Sequence, residues 1–434
     1  MVLAATMAVA LLAWAGLALA QTGRYGLPAA AGLTVLFIVA LGAVAWRLGG
    51  WPGLVADRAE LAVLAGVALV AAVLFFPGFA YGAGKDPGAY VSHAIAIARV
   101  GSTSYTDPTL DRSRVPAVEV TREDEASRFP AIWIGDRDAQ QIVLQFHHLW
   151  PALLASAFEV GGYTGLANLT PLCGVLAVLV VTLAVRRAFG LLAGALAGLL
   201  LATNMLQVWQ AKYPSSETFT QLVLSGALLG IVVALQTGWR PAAGLAGLLL
   251  GVSYLTRPDS LLLILLALGV GCALIVTGHF DARAAWFATG LGVTLPYGFY
   301  QAYVSARRYT LTNHVPDLPV VLAVILGALA VAVLVRRVAS AAGRWAWELL
   351  ERRPVQRRLG MAVVGAAALL LVLGFLRPWL FGPVWGELRG RPVRTYDEAT
   401  RSGCPGSSPF PGSAWRWPGS PWWPCGAGGP RPGR

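Results

Sequence analysis

The sequence predicts an all-α, polytopic membrane protein, and three observations lead to that fold class. Of the 434 residues, 56% are hydrophobic and only 12% are charged, whereas soluble domains carry about 25% charged residues. The apolar residues form runs of about 20, the length that a helix needs to cross a bilayer. The basic excess behind the net charge of +12 lies mostly between those runs, where it sets orientation and does not indicate nucleic-acid binding.

Residues 1–80 contain three apolar runs, which we expect to be transmembrane helices: residues 2–20, 27–46 and 60–80. The first run lacks a preceding basic region and is followed at once by the second, which favours a retained helix over a cleaved signal peptide. Arg47 and Arg58 bracket the turn before the third run. By the positive-inside rule that turn is cytoplasmic, so the polar segment after residue 80 faces outward.

Residues 81–165 are predicted to form a large extracytoplasmic loop with interfacial helices. The loop ends in an apolar piece of about a dozen residues, 149–160. That length is too short for a comfortable span and fits an interfacial or re-entrant helix. The first full crossing after the loop is therefore expected to begin near residue 166.

Residues 166–377 are predicted to form the main transmembrane bundle, which brings the total to about 11 spans. The spans expected here cover residues 166–185, 191–206, 218–235, 242–255, 260–276, 284–303, 320–335 and 361–376. Their alternation leaves Arg186 and Arg187 inside, as the positive-inside rule favours. Residues 378–400 are then extracytoplasmic.

The tail, residues 401–434, is rich in Gly, Pro, Ser, Trp and Arg, a composition that alone indicates disorder. We favour another explanation. If residues 412–427 are written with GC-rich codons and read from the third base, they encode an apolar run that ends in two arginines. We therefore expect a frameshift near residues 400–404 and the loss of a twelfth span.

The start of the outer loop holds the candidate catalytic residue, Asp86. Lys85, Asp86 and Pro87 predict a helix start with Asp86 as N-cap, and Gly101 predicts its end. Four residues fall on one face of this helix: Asp86, Tyr90, His93 and Ile97. A carboxylate here is suited to act as general base on an acceptor hydroxyl that attacks an activated sugar carbon. The alternatives are that Asp86 only caps the helix and that His93 is a solvated or interface histidine.

Two adjacent histidines, His147 and His148, stand where the loop re-enters the membrane. They are candidates to bind a phosphate or a metal, or to position a sugar, although neighbouring helical residues point in different directions. The four cysteines form no CxxC and no Cys/His cluster. We therefore assign no metal ligand and leave only a divalent metal open as a cofactor.

Lys85, Tyr90 and His93, which surround Asp86 in the sequence, are also candidates for substrate binding. Further candidates lie at predicted outer edges of later spans: Lys212, Tyr213, Glu217, Arg257, Asp259, Arg307 and Arg308. An arginine fork at a membrane edge suits a phosphate on a lipid head group. The alternative is that long basic side chains merely reach for the interface. Arg257 is the most informative, because the positive-inside rule disfavours it in a short outer turn. No nucleotide-binding motif occurs.

In the order of these parts, the chain resembles the GT-C superfamily of membrane glycosyltransferases, in particular bacterial members of the protein O-mannosyltransferase and aminoarabinose transferase group. The resemblance covers roughly residues 61–397. It rests on five segments: Lys85-Asp-Pro-Gly-Ala-Tyr90, Phe146-His-His-Leu-Trp-Pro151, Ala184-Val-Arg-Arg-Ala-Phe-Gly190, Lys212-Tyr-Pro-Ser-Ser-Glu217 and Leu255-Thr-Arg-Pro-Asp259.

The resemblance implies a polyprenyl-phosphate sugar donor, a glycan, lipid or protein acceptor, and inverting transfer on the outer face of a bacterial cytoplasmic membrane. It makes Asp86 the catalytic carboxylate and offers Arg257 and Lys212 as ligands of the donor phosphate. Asp86 follows the third span, whereas simpler members carry the acid after the first. The alternatives are a transporter or flippase for a lipid-linked or anionic substrate, and a non-catalytic scaffold of envelope assembly.

Overall fold

The structure is a computed structural model. It describes residues 2–48, 50, 57–79, 85–106, 121–123, 126–129, 132–136, 141–144, 146–307, 309–310, 323–335, 345, 348–349, 352–380, 385–388 and 391–394. The predicted frameshifted tail lies outside these residues. The chain divides into two compact units, Met1–Arg344 and Trp345–Arg434.

The helices of the first unit follow the apolar runs of the sequence. Their bounds are α1 (Val2–Gln21), α2 (Leu27–Arg47), α3 (Arg58–Phe75), α4 (Lys85–Val100), α5 (Leu149–Phe189), α6 (Leu191–Thr203), α7 (Met205–Lys212), α8 (Ser216–Thr237), α9 (Arg240–Thr256), α10 (Leu261–Thr277), α11 (Ala282–Tyr300) and α12 (Ala323–Val335). A 3-10 turn, Pro258–Ser260, precedes α10, and a π-helical segment, Gln301–Ser305, follows α11.

The first unit also contains a small antiparallel sheet, so the all-α prediction is wrong for the outer loop. Its strands are β1 (Ser104–Thr106), β2 (Thr121–Glu123), β3 (Ala126–Phe129), β4 (Ile132–Asp136) and β5 (Gln141–Leu144), in the spatial order β1-β5-β4-β3-β2. β4 and β5 are rich in the β-branched and aromatic residues that suit a pleated surface. The all-α prediction depended on the long apolar runs outside this loop, which carry no information about its short strands.

The two helices predicted for residues 149–160 and 166–185 form a single helix, α5, that is broken in the middle. Gly161 and Gly162 have non-helical backbone angles, and the φ of Gly162 is +58°. Glycine tolerates that left-handed conformation at little cost. At Gly165 a Cβ would lie 2.2 Å from the carbonyl oxygen of Ala157, so the chain turns too tightly there for a side chain. The predicted boundary is thus present as a break.

An ion-pair cluster, which we name the Glu60 clamp, joins the start of α3 to the end of the second half of α5. Glu60 is 3% exposed and lies 3.0 Å from Nε of Arg186 and 3.5 Å from Nη2 of Arg187. Asp57 caps α3 through the amide of Glu60 and pairs with Arg186 at 3.1 Å. The clamp holds one end of the bundle together.

The opposite end, which we name the site end, gathers the termini of five helices. The amide of Phe79, after α3, donates to the carbonyl of Lys212 at the end of α7. Thr220 in the second turn of α8 bonds to Thr256 at the end of α9. α4 joins α8 there through a hydrogen bond between Tyr90 and Ser216. Polar residues from distant parts of the sequence therefore meet at this end.

Helices α9 and α11 run parallel in close contact along a seam of small residues. A Cβ at Gly247 would lie 2.0 Å from the carbonyl oxygen of Phe287, and one at Gly290 would lie 2.0 Å from that of Gly244. Small residues spaced along a helix let membrane helices approach this closely. The seam fixes the end of α9, and hence Arg257, relative to the chain that follows α11.

In the described part of the chain, six segments are long and apolar enough to cross a membrane: α1, α2, α3, α5, α8 and Pro258–Thr277. The bent pair α6 and α7, which meet at 63°, makes a seventh if it is one span. The chain is a multi-pass membrane protein, and the count of about 11 spans stays a prediction. The second unit contains α13 (Arg353–Leu380) and a hairpin of β6 (Trp385–Leu388) and β7 (Arg391–Arg394).

Candidate active site

The centre of the candidate site is an arginine held by two carboxylates. Nη1 of Arg257 donates to Oε1 of Glu217 at 2.6 Å, while Nε and Nη2 donate to Oδ2 of Asp259 at 3.1 and 2.7 Å. Pro258 disfavours a helical conformation in the residue before it, and Arg257 is extended, with φ −149° and ψ 134°. That extended residue ends α9 and directs the guanidinium toward the start of α8.

Arg257 keeps its charge and part of its donor capacity. Burial opposes the charged form, but the hydrogen bond to Asp259 and the charge of Glu217 outweigh it and raise the pKa of the guanidinium. Three of its five N–H groups bond to the two carboxylates. Two N–H groups therefore remain for a ligand, on a side chain that is 31% exposed.

An aromatic cluster packs beside this arginine. The ring of Phe146 lies 5.0 Å from that of Tyr90 and 5.2 Å, edge to face, from that of Tyr309. The ring of His93 lies 6.2 Å from Phe146. Aromatic pairs at these separations stabilise by about 0.5–1.5 kcal/mol beyond their buried area. Phe146 thus holds α4 against residues 309–310.

Four charged groups of the site affect the pKa of the Tyr309 hydroxyl. Burial is the largest cause that raises its pKa to about 12. The charge of Arg257 lowers this pKa, and the carboxylates of Asp86, Asp259 and Glu217 raise it. The hydrogen bond between Tyr90 and Ser216 brings α4, the helix of Asp86, to the start of α8, where Glu217 holds Arg257. The structure brings these predicted site residues together: Asp86, Tyr90, His93, Glu217, Arg257 and Asp259.

Asp86 itself is exposed and lies inside the first turn of α4. The helix begins at Lys85, so the predicted N-cap position for Asp86 is wrong, although Pro87 is in the first turn as expected. The rest of the predicted face, Tyr90, His93 and Ile97, is buried. His93 is only 1% exposed, which rules out the solvated alternative for it.

The two adjacent histidines are buried, and His147 is fixed by two hydrogen bonds. Its Nδ1 lies 3.0 Å from the carbonyl oxygen of Tyr254, and its Nε2 lies 3.2 Å from the hydroxyl of Thr310. A carbonyl only accepts, so Nδ1 carries the proton. His148 occupies the N-cap position of α5 and is 1% exposed. His147 thus joins the end of α9 to residues 309–310.

Other predicted residues lie elsewhere or outside the described part. Lys212 is not in the Arg257 network: its Nζ lies 3.4 Å from the carbonyl oxygen of Pro77 and 5.8 Å from the centre of the Phe79 ring. Tyr213 stacks on Trp209. Lys212 and Tyr213 are separated in sequence from Arg257 by a whole helical hairpin, and these contacts are with the residues after α3 and with α7. The exposed Arg307 lies over the ring of Tyr303. Arg308 and the side chain of Lys85 lie outside the described residues.

Several residues of the site were not predicted. Ser216, Tyr254, Phe146, Tyr309 and Thr310 all make the contacts described above. Ser216 and Tyr254 are each within three residues of a predicted site residue, and Phe146 precedes His147, so proximity in sequence is the signal that points to them. For Thr310 the bond to His147 spans 163 residues, and no local pattern indicates it. Among the described residues, no group of three or more His, Cys, Asp or Glu side chains is arranged to hold a metal ion.

Comparisons with known proteins complete the description. No protein-family model matches the chain, and no curated protein matches it. Among solved structures, the chain is similar to an archaeal oligosaccharyltransferase, AglB from Archaeoglobus fulgidus, in complex with an inhibitory peptide and a dolichol-phosphate. The TM-score is 0.42 at 17% identity, over 73% of this chain and 37% of the archaeal one. The chain therefore spans little more than a third of the length of that enzyme.

Proposed function

We propose that this protein transfers a sugar from a polyprenyl-phosphate donor to an acceptor on the outer face of a bacterial cytoplasmic membrane. One observation carries the proposal: at one end of a membrane bundle, the 3.1 Å bond between Tyr90 and Ser216 joins α4, the helix of the Asp86 carboxylate, to the start of α8, where Glu217 holds the Arg257 guanidinium. A general base and a phosphate ligand side by side are what glycosyl transfer from a phosphate requires.

Asp86 serves as the base. Its exposed carboxylate accepts the proton of the acceptor nucleophile while the nucleophile oxygen forms a bond to the anomeric carbon of the donor sugar. The bond between that carbon and the phosphate oxygen breaks, and its electron pair stays on the phosphate. Attack from the face opposite the leaving group inverts the configuration at the anomeric carbon.

Arg257 stabilises the phosphate leaving group. Its two remaining N–H groups are directed by the bonds to Glu217 and Asp259, so the guanidinium does not need to reorganise as negative charge develops on the phosphate oxygen. Preorganised donors of this kind stabilise a transition state more than mobile ones do. The permanent charge of arginine suits a donor that remains anionic throughout.

The placement of charge also supports an enzyme over the transporter alternative. Transporters place ionisable residues near the midplane, often at interrupted helices. In α1 to α11, which lie in the described part of the chain, the acidic and basic side chains of the apolar helices stand within about one turn of a helix end or of the break in α5. Two groups of these charged residues lie at opposite ends of the bundle, the Glu60 clamp at one end and Arg257 with Glu217 at the other.

The test is transfer from labelled polyprenyl-phosphate sugars in membranes that contain the wild-type protein or its Asp86→Asn variant. Loss of a general base lowers rates by about 10²- to 10⁴-fold, so we expect kcat to fall by that factor with little change in the donor KM. Asp281→Asn is the matched control, because Asp281 caps α11 far along the chain and asparagine caps equally well. Equal transfer by wild type and Asp86→Asn would remove Asp86 from the reaction.

A further inference from the structure

A buried hydrogen bond connects α4, the helix of the proposed base, to α8, the helix whose Glu217 holds the proposed phosphate ligand Arg257. The hydroxyls of Tyr90 and Ser216 lie 3.1 Å apart, and the two side chains are 6% and 0% exposed. Tyr90 belongs to α4 and Ser216 to the first turn of α8. The bond joins residues that are 126 positions apart in the chain.

Each partner of this bond stands next to a charged group of the site. Tyr90 follows Asp86 by four residues, which places both on one face of α4. Ser216 directly precedes Glu217, whose Oε1 accepts from Arg257 at 2.6 Å. A short path therefore runs from Asp86 through the two hydroxyls to Arg257.

The surroundings fix the bond in place. The ring of Tyr90 packs 5.0 Å from that of Phe146, and burial raises the pKa of its hydroxyl, so the phenol stays protonated in any ordinary assay. A buried hydroxyl without its partner costs about 1–3 kcal/mol. Rotation of α4 away from α8 would break the bond and leave the two buried hydroxyls without each other, at that cost in free energy. The bond therefore restrains the orientation of α4 and, with it, the position of Asp86.

We propose that Tyr90 and Ser216 are positioning residues, which set the distance between the Asp86 base and the Arg257 phosphate ligand. The inference rests on the proposed function and revises the expectation that Tyr90 binds substrate. Its physical basis is that a displacement of about 1 Å between reacting groups lowers a rate about 10²-fold. Tyr90 touches Ser216 and Phe146, and it acts on the reaction only through the helices that it joins.

The experiment uses Tyr90→Phe, Ser216→Ala and the double variant. The chain offers a matched control in Tyr25, whose hydroxyl makes another buried bond of 3.1 Å to a serine, Ser156. We expect Tyr90→Phe and Ser216→Ala each to lower kcat at least tenfold with the donor KM unchanged. The double variant should be no slower than either single one, because both remove the same bond. Tyr25→Phe should lose similar thermal stability and keep its kcat.

Three outcomes would overturn the proposal. Equal losses of kcat in Tyr90→Phe and Tyr25→Phe would make the bond merely structural. A raised donor KM with unchanged kcat would make Tyr90 a substrate ligand. Additive losses in the double variant would show that the two hydroxyls act separately.

Hydrogen exchange provides a readout that needs no activity. In Tyr90→Phe we expect faster amide exchange in α4 and also in residues 253–259 around Arg257, whereas Tyr25→Phe should change neither region. Faster exchange in α4 alone would contradict the link. Normal transfer by Asp86→Asn, or none by the wild type, would instead refute the proposed function and leave this measurement to decide the positioning role.

Discussion

Replacing Gly247 with alanine is expected to separate α9 from α11. A Cβ at this position would lie 2.0 Å from the carbonyl oxygen of Phe287 and 2.8 Å from the amide nitrogen of Leu291. Ordinary contact begins at 3.4 Å, so the helices must move apart by about 1.4 Å along the worst contact. Both obstacles are backbone atoms, which cannot rotate away as a side chain would.

The expected cost follows from that geometry. Overpacking a close contact destabilises by about 1–3 kcal/mol, and we expect a value near the upper limit because the obstacle is rigid. Gly247 also lies ten residues before Arg257 on the helix that carries it. A shift of about 1 Å at the arginine would lower transfer by roughly 10²-fold.

The assay compares thermal unfolding and sugar transfer of Gly247→Ala with those of Gly292→Ala. Gly292 lies on α11, and a Cβ there would meet nothing within 4 Å, so the control adds the same methyl group without a clash. We expect the control to be as stable as the wild type or more stable, since alanine favours helix formation over glycine. Equal stability of the two variants would refute the close approach of α9 and α11.

Two further predictions concern ionisable groups. Glu60→Gln should destabilise the protein by about 3 kcal/mol, because the buried partner of Arg186 and Arg187 loses its charge. Asp57→Asn, at the exposed edge of the clamp, should destabilise it much less. Equal losses of stability in thermal unfolding of the two variants would contradict the prediction. The pKa of Tyr309 is raised to about 12 from an unfolded value of about 10, so the folded state holds a proton that the unfolded chain releases between these values. The free energy of unfolding of the wild type should therefore fall as pH rises from about 10 to 12. In Tyr309→Phe this fall should be smaller by about 1 kcal/mol, a value that allows for the partial exposure of the ring. Parallel pH profiles of stability for the two proteins would contradict the prediction.

Much of the helical framework follows from the sequence, because the length of an apolar run is a local property that can be compared directly with the thickness of a bilayer. The predicted gap at residues 161–165 corresponds to the break at Gly161 and Gly162. The sheet of the outer loop was missed because its strands have only three to five residues. Such short segments lack a clear period, although Ile132-Trp-Ile134 and Ile142-Val143 carried a β preference.

The candidate site was predictable where its residues are neighbours on one element. The spacing of Asp86, Tyr90 and His93 predicted a common face, and that face is buried beyond its first residue. Pairing between elements was not predictable. Lys212 and Arg257 looked equivalent as basic residues at helix ends, yet only Arg257 packs against the start of α8. Which helix ends meet depends on packing along the whole bundle, such as the glycine seam of α9 and α11.

The fork of Arg257 has a consequence for how ionic strength acts on the protein. Glu217 and Asp259 both bond to the guanidinium of Arg257, so two negative charges face one positive charge in this group of three side chains, even though the whole chain is strongly basic. An anionic head group that approaches these three side chains is repelled by their net negative charge before it reaches the two remaining N–H groups of Arg257. Dissolved salt shortens the reach of that repulsion to about 8–10 Å, so donor affinity should improve as salt is added. Most arginine-lined anion sites behave in the opposite way.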